Sequence, residues 1–172
     1  MNKSSPVVIR RATISDLNAI VNFNVALARE TEHRALDVKA LESGVEALLE
    51  NPGKGWYAVA EKSLKGGQII VVGQILVTFE WSDWRNANFW WLQSVYVHPD
   101  HRQASIFRQL YEYVQGQAHL NQEAICGFRL YVEERNHQAH QVYANLGFQK
   151  TAYHMYEKEF PWTPPSFPQS IV

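Results

Sequence analysis

The stretch Trp91–Tyr111, WLQSVYVHPDHRQASIFRQLY, constrains the chain more than any other. Leu92–Val97 is apolar and rich in β-formers, and Pro99 cannot continue a ladder, so a strand ends there. From Ile106 onward the apolar residues Ile106, Leu110 and Val114 recur at every fourth position, the spacing of one buried helical face. Between strand and helix, Arg102–Ser105 is small and polar, and Arg102 and Arg108 flank it. A strand that feeds such a turn into a helix leaves backbone N–H groups without intrahelical partners, at the positive end of the helix dipole. The stretch therefore reads as an anion site, most often one for phosphate.

The other elements arrange themselves around this one. Val7–Ile9 reads as a short strand, and Thr13–Asp16 as a capping box before a helix whose face is Leu17, Ile20, Val21 and Val25. Arg29–Arg34 breaks the apolar pattern as a polar connection. Asp37 can cap a second helix that buries Val38, Leu41, Val45, Leu48 and Leu49, and Asn51–Gly55 ends it. Trp56–Ala60 and Ile69–Phe79 alternate as strands on either side of the turn Lys65–Gly67, and Trp81–Asn88 reads as a polar-aromatic loop into the central strand. Beyond the central helix, Gly127–Val132 is a strand, Asn136–Asn145 a helix with Gly147 as its C-cap, and Phe148–Phe160 one or two closing strands. The order β-α-α-β-β-β-α-β-α-β predicts an α/β chain with a mixed, mostly antiparallel sheet and helices on both faces.

Length and composition narrow the classes. At 172 residues the chain reads as one domain over residues 1–160, large enough for a sizeable core, followed by an extended tail, Pro161–Val172, with four prolines. The net charge of −1 gives no electrostatic argument for nucleic acid or an anionic membrane. No apolar run approaches the roughly 20 residues of a membrane span, and the N-terminus has no signal-peptide core. A single cysteine, Cys126, excludes an internal disulfide and fits a reducing, cytoplasmic setting, with a buried inert thiol as its expected role. His98 with His101, and His137 with His140, lack further ligands at a recognisable metal spacing, so no metal site is expected.

Two motifs carry a resemblance. Val95-x-Val97-x-Pro99-x-x-Arg102-x-x-Ser105-x-Phe107 resembles the acyl-CoA-binding motif of the GNAT family of N-acetyltransferases, with Ser105 and Phe107 in place of two small residues. Leu130-Tyr131-Val132-x-x-x-Asn136-x-x-Ala139-x-x-x-Tyr143-x-x-x-Gly147-Phe148 resembles the family's second signature at every marked position. With the element order, which also agrees with the family fold, the resemblance covers nearly the whole chain, roughly Val7 to Tyr156. The resemblance implies the GNAT fold, acetyl-CoA as co-substrate, and the family's habit of forming homodimers. Within the family it distantly resembles the polyamine and thialysine acetyltransferases.

The resemblance also implies roles. Val95, Tyr96 and Val97 would offer backbone groups to the pantetheine arm, and Arg102, Gln103, Ala104, Ser105, Ile106, Phe107 and Arg108 would form the pyrophosphate turn. Asn136 would bond the pantetheine, and Tyr143 would stand by the thioester sulfur as general acid. Ser105 gives up glycine's freedom at positive φ but brings a hydroxyl. Phe107 is expected to turn into the core. Gln93 occupies the position where those relatives often carry a glutamate, so the base lies elsewhere or acts through water, with Glu32, Glu80, Asp83 and Glu133 as candidates.

Carboxylates among tryptophans suit a cationic amine, through charge pairing and cation–π contact. Glu30, Glu32, Asp83, Trp84 and Gln93 are accordingly the expected acceptor-binding residues, with the pocket between the first helical pair and the loop before the central strand. The reading is an acetyl-CoA-dependent N-acetyltransferase of a small primary amine, working by direct attack. Two alternatives stand beside it: a non-catalytic acyl-CoA-binding or sensory module, and an acetyltransferase of protein N-termini or lysines.

Overall fold

The structure is a computed structural model that describes residues 6–102, 105–121, 124–158 and 160. It divides into two compact units, residues 1–130 and 131–172. The first holds a five-stranded sheet in chain order: β1 (Val7–Arg11), β2 (Trp56–Ser63), β3 (Ile69–Ser82), β4 (Ala87–Val97) and β5 (Ile125–Arg129). Neighbours run antiparallel except β4 and β5, which are parallel and joined through helix α3 (Ile106–His119). Helices α1 (Leu17–Thr31) and α2 (Val38–Leu49) connect β1 to β2. This is the mixed α/β architecture that the element order predicts.

Side-chain alternation assigns the two faces. Tyr57 of β2 reaches Asn24 of α1, while its neighbour Trp56 packs edge-on against Tyr113 of α3. The core under α1 and α2 is Ile20, Val21, Val45, Tyr57, Val59 and Leu76. On the other face Ile106, Leu110 and Val114 of α3 are buried, as their spacing predicts. Gly73 of β3 lets that helix begin close to the sheet. A Cβ there would lie 3.1 Å from the Tyr96 carbonyl oxygen and 3.2 Å from Ile106 Cγ2.

The helix starts follow the expected chemistry. A 3-10 turn at Ile14–Asp16 precedes α1, and the Thr13 N–H donates to Asp16 Oδ2 at 2.8 Å. Arg10 of β1 grips the same carboxylate with both terminal nitrogens, at 2.7 and 2.8 Å, and also bonds Glu61. Asp37 Oδ1 accepts from the N–H groups of Lys39 and Ala40, capping α2.

Several boundaries differ from the sequence reading. α1 continues through Thr31, because an arginine and a glutamate on its outer side cost a helix nothing, and the connection begins only at Glu32. The loop expected over Trp81–Asn88 contracts to a tight hairpin turn. Trp81 and Asn88 face each other as paired residues of β3 and β4, and Asn86 supplies the left-handed residue at φ 50°. β5 is Ile125–Arg129 rather than Gly127–Val132. Cys126 is half-buried.

The second unit contains α4 (His137–Asn145). Asn136 caps it, its Oδ1 accepting from the Ala139 N–H at 3.0 Å, and Gly147 closes it at φ 88°. The closing strands expected over Phe148–Phe160 do not form among the described residues. Their aromatic alternation matches a strand, but a strand needs a ladder partner, and Tyr153, Met155 and Tyr156 stand largely exposed. The tail 161–172 lies outside the described residues.

Asp16 gives a test of what anchors α1. Burial alone would raise its carboxyl, but the hydrogen bonds from Arg10 and the Thr13 N–H outweigh this and hold it below the usual range. A depressed folded-state value stabilises fully above the unfolded-state pKa of about 4 and loses that contribution as pH falls through the folded-state value. Asp16→Asn should therefore cost about 2 kcal/mol at neutral pH, measured by urea unfolding. The gap to the parent should narrow below about pH 4. A gap constant from neutral to strongly acidic pH would refute the linkage.

Candidate active site

The site begins with an irregularity in the central strand. β3 and β4 pair as Gln74 with Tyr96 and Leu76 with Gln93, so Ser94 and Val95 together oppose Ile75. The extra residue is a β-bulge, and Ser94 takes a left-handed φ of 45° to make it. Because side chains alternate with period two, the bulge reverses the facing of every residue after it. Trp90 thus packs with Trp56 on the α3 face, whereas Tyr96 packs its ring 5.2 Å from Phe23 of α1.

The other edge of β4 opens at the same level. β5 pairs with β4 only from Asn88 to Trp91, and no ladder partner on that side continues beyond Trp91 among the described residues. Along Leu92–Val97 the Ser94 and Val97 carbonyls accept from Gln74 and Arg102, and an open strand edge of this kind suits an extended ligand carrying its own amides, which is what a pantetheine arm is.

At the end of β4 the chain turns into α3. Ser105 stands at the helix N-cap in the left-handed region, φ 56° and ψ 20°, and its hydroxyl makes no capping bond. It thus adopts the backbone shape for which the resembling family uses glycine, and leaves the first-turn N–H groups of α3 without a side-chain cap. Gln103 and Ala104 lie outside the described residues. Ile106 is buried, and Arg108 is exposed beside Glu112 at 3.9 Å. Phe107 differs from its expected place. It is half-buried rather than in the core, its ring lying along α3 against Tyr111, because the i+4 spacing keeps both on the flank of the buried stripe.

Arg102 is held as a strut. Its Nε donates to the Val97 carbonyl at 2.9 Å and its Nη2 to Glu30 Oε2 at 2.6 Å, while its guanidinium lies 5.4 Å from the Tyr96 ring centre. Tyr96 donates its hydroxyl to the other Glu30 oxygen at 2.7 Å. Bonds from Arg102 first, then Tyr96, hold the Glu30 carboxyl below the usual range. Burial, with Glu30 adding to it, pushes the Tyr96 phenol up to about 12. Glu30 therefore connects the end of α1 to the start of the turn into α3.

A cavity of about 350 Å³ opens between α1, α2 and the bulge, bordered by Ser94, Asn24 and Tyr57 and rimmed by Glu32. Beneath it runs a buried polar chain. Gln74 Nε2 donates to Asn24 Oδ1 at 2.9 Å and to the Ser94 carbonyl at 3.2 Å, and Asn24 Nδ2 donates to the Tyr57 hydroxyl at 3.1 Å. The sequence reading missed Asn24, Gln74, Tyr57 and Ser94. The available signal was a polar residue, Asn24 or Gln74, at a position where the apolar period demands a core side chain.

The remaining expected acceptor residues separate. Gln93 donates to Thr78 Oγ1 at 2.7 Å on the face of α1. Asp83 and Trp84 sit in the β3–β4 hairpin turn, where Asp83 Oδ1 accepts from the Trp84 N–H and Trp84 is 88 % exposed. Ala87 to Ser94 along β4 spans about 23 Å at ~3.3 Å per residue, so the structure does not bring that turn to the bulge. Of the four candidate bases, Glu80 binds Arg129 and the Trp91 indole, Asp83 holds its turn, and Glu133 accepts from the Arg135 N–H at 2.8 Å. Glu32 is the one that lines the cavity.

In the second unit Tyr143 lies edge-on to Phe148, ring centres 5.8 Å apart, and burial raises its phenol, which favours the protonated form. Among the described residues no group of His, Cys, Asp and Glu side chains could hold a metal ion, and no helix is long and apolar enough to cross a membrane. Ser105 offers a direct test of the turn. Ser105→Gly should raise the unfolding free energy by about 1 kcal/mol by removing the left-handed strain, seen as a higher denaturant midpoint. A lower midpoint would show that the serine side chain supports the turn.

The residues at the turn and bulge fit an acyl-CoA: an uncapped helix start for phosphates, and an open strand edge for amides. The Acetyltransferase (GNAT) family model matches residues 22–148. A possible acetyltransferase from Clostridium difficile 630 is 44 % identical over 90 % of this chain and 97 % of its own, with a TM-score of 0.80. The aminoglycoside N-acetyltransferase AAC(6')-Iy, solved with CoA, shares the fold at 16 % identity and a TM-score of 0.71, covering 92 % of this chain and 98 % of its own. A ribosomal-protein-alanine N-acetyltransferase from Brucella melitensis does so at 15 % and 0.66, covering 90 % and 100 %. No curated protein matches the chain. With three quarters of its length under that model, the chain belongs to the GNAT family of acetyltransferases, enzymes of acetyl-CoA-dependent acyl transfer.

Proposed function

We propose that the protein acetylates the primary amine of a small molecule by direct attack on acetyl-CoA. The observation that carries this reading is the cavity between α1 and α2, whose border includes Ser94 of the bulge. The acceptor would enter through the cavity and the cofactor along the open edge of β4. Val95, Tyr96 and Val97 would bind the pantetheine, and the turn from Arg102 through Gln103, Ala104, Ser105, Ile106 and Phe107 to Arg108 the pyrophosphate. Asn136 would add a bond to the pantetheine. Glu30 and Gln93 would lie beside the acceptor path, with Asp83 and Trp84 assigned to a more distant part of the substrate. A single domain over residues 1–160, a cytoplasmic setting and a homodimer belong to the same proposal.

Acetyl-CoA, when bound, supplies the acetyl group as an activated thioester. The chain's own groups have three tasks. An amine attacks only when neutral, and Glu32 at the cavity rim would take its proton through a water molecule. Backbone N–H groups at the bulge would stabilise negative charge gathering on the carbonyl oxygen. As the N–C bond forms and the C–S bond breaks, the Tyr143 phenol would return a proton to the leaving sulfur. Its burial favours the protonated form that this task requires.

Titration with acetyl-CoA, followed by calorimetry, should give micromolar binding that is lost with pantetheine alone. An amine and peptide screen then reads turnover. Tyr143→Phe should lower kcat by about 10²-fold with acetyl-CoA affinity within a factor of about two, whereas a large loss of affinity would make the tyrosine structural. Glu32→Gln should lower kcat/KM by about 10–10²-fold. Binding without turnover of any acceptor would favour a sensory module, and preference for peptides over free amines a protein acetyltransferase.

A further inference from the structure

Gly44 is the seventh residue of the twelve-residue helix α2, away from either end. Glycine in a helix interior is unfavourable, because it surrenders backbone entropy and contributes no side chain. The usual reasons for accepting it are missing. Gly44 has no positive φ, and apart from its chain neighbours and the helix's own backbone nothing lies within 4 Å of the position a Cβ would occupy. What glycine leaves there is space, and that space belongs to the cavity, which Gly44 lines together with Leu41 and Leu48 of α2 and Leu27 of α1. Leu41 and Leu48 pack against the core but are only half-buried, so part of each is left to the opening.

The charges of the cavity point the same way. Its polar border is Asn24, Tyr57 and Ser94 next to the bulge, and Glu32 is the sole charged residue among those lining it. One carboxylate matches one ammonium group. A polyamine would place its further charges against leucines, where an unpaired cation is strongly disfavoured.

We infer that the acceptor is a monoamine with an uncharged apolar body, whose nitrogen is directed to the Ser94 end while the body lies along α2 in the gap left by Gly44. Gly44 is then the residue that sets how large a body the enzyme accepts. This rests on the acetyltransferase reading for its consequences in turnover, but not for the ligand's fit to the cavity.

The test uses the full-length protein, acetyl-CoA, and a panel of 4-phenylbutylamine, hexylamine, putrescine and spermidine, with Gly44→Trp as the variant. The expected result is a kcat/KM for the two apolar amines at least tenfold above that for the polyamines. Gly44→Trp should lose at least tenfold on 4-phenylbutylamine while its acetyl-CoA affinity, measured by calorimetry, stays within twofold. Equal or better use of spermidine, or a folded Gly44→Trp as efficient as the parent on 4-phenylbutylamine, would overturn the inference and leave the acetyltransferase reading standing. If Gly44→Trp does not fold, the panel on the parent protein decides alone. If no amine is acetylated, the activity reading fails, and calorimetry of 4-phenylbutylamine against the acetyl-CoA-loaded protein decides on the cavity. Binding in preference to spermidine upholds it, and no binding at millimolar amine overturns it.

Discussion

The bulge at Ser94 is the feature on which the rest of the site depends. A regular β4 would carry Tyr96 to the α3 face, away from Phe23 and Glu30. With the extra residue, Tyr96 turns to α1 and shares Glu30 with Arg102. The cost is a serine in the left-handed region, which is tolerated only where the surroundings fix it. Gln74 holds its carbonyl from below, and Asn24 holds Gln74 in turn. An apolar pair in their place would pack the core as well but would leave the bulge without this support.

The residues on either side of the turn into α3 are held by different means. At its start the Arg102 side chain is bonded to the Val97 carbonyl and to Glu30. At its end Ser105 sets the entry angle of α3, and buried Ile106 anchors the helix against the sheet next to Gly73. The motif arginine thus serves the geometry of the turn, which leaves the uncapped N–H groups of α3 as the part suited to an anion.

Most of the fold was legible in the sequence, because it rests on local rules. The faces of α1, α2 and α3 follow from 3.6-residue spacing, and Thr13–Asp16, Asp37 and Asn136 announce their helices through capping chemistry. What failed was non-local. Phe148–Phe160 has the alternation of a strand, but pattern alone does not supply a partner to pair with. The hairpin turn was read as a loop because tryptophans and a polar run look alike whether paired or not. For the candidate site, the strand, turn and helix start that carry the motif were legible because such a junction has a sequence shape. Asn24 and Gln74 show in the sequence only as polar residues interrupting an apolar period, and nothing in either period says that they pair across fifty positions. Asp83 and Trp84 attracted attention by composition, and only the register of β3 with β4 shows how far along the strand they sit.

The parallel placement of β5 has a consequence for assembly of the chain. β2, β3 and β4 are joined by short turns and can zip from those turns outward, with little chain entropy to overcome at each step. β5 can reach β4 only after the whole crossover through α3 has closed, and parallel pairing of that kind is intrinsically slow. The cleft beside β4 is thus bounded on one side by the earliest-forming hairpins and on the other by a strand that docks late through four paired positions. A ligand lying in that cleft would bind the completed arrangement alone, and so would act on the protein's folding equilibrium as well as on its chemistry.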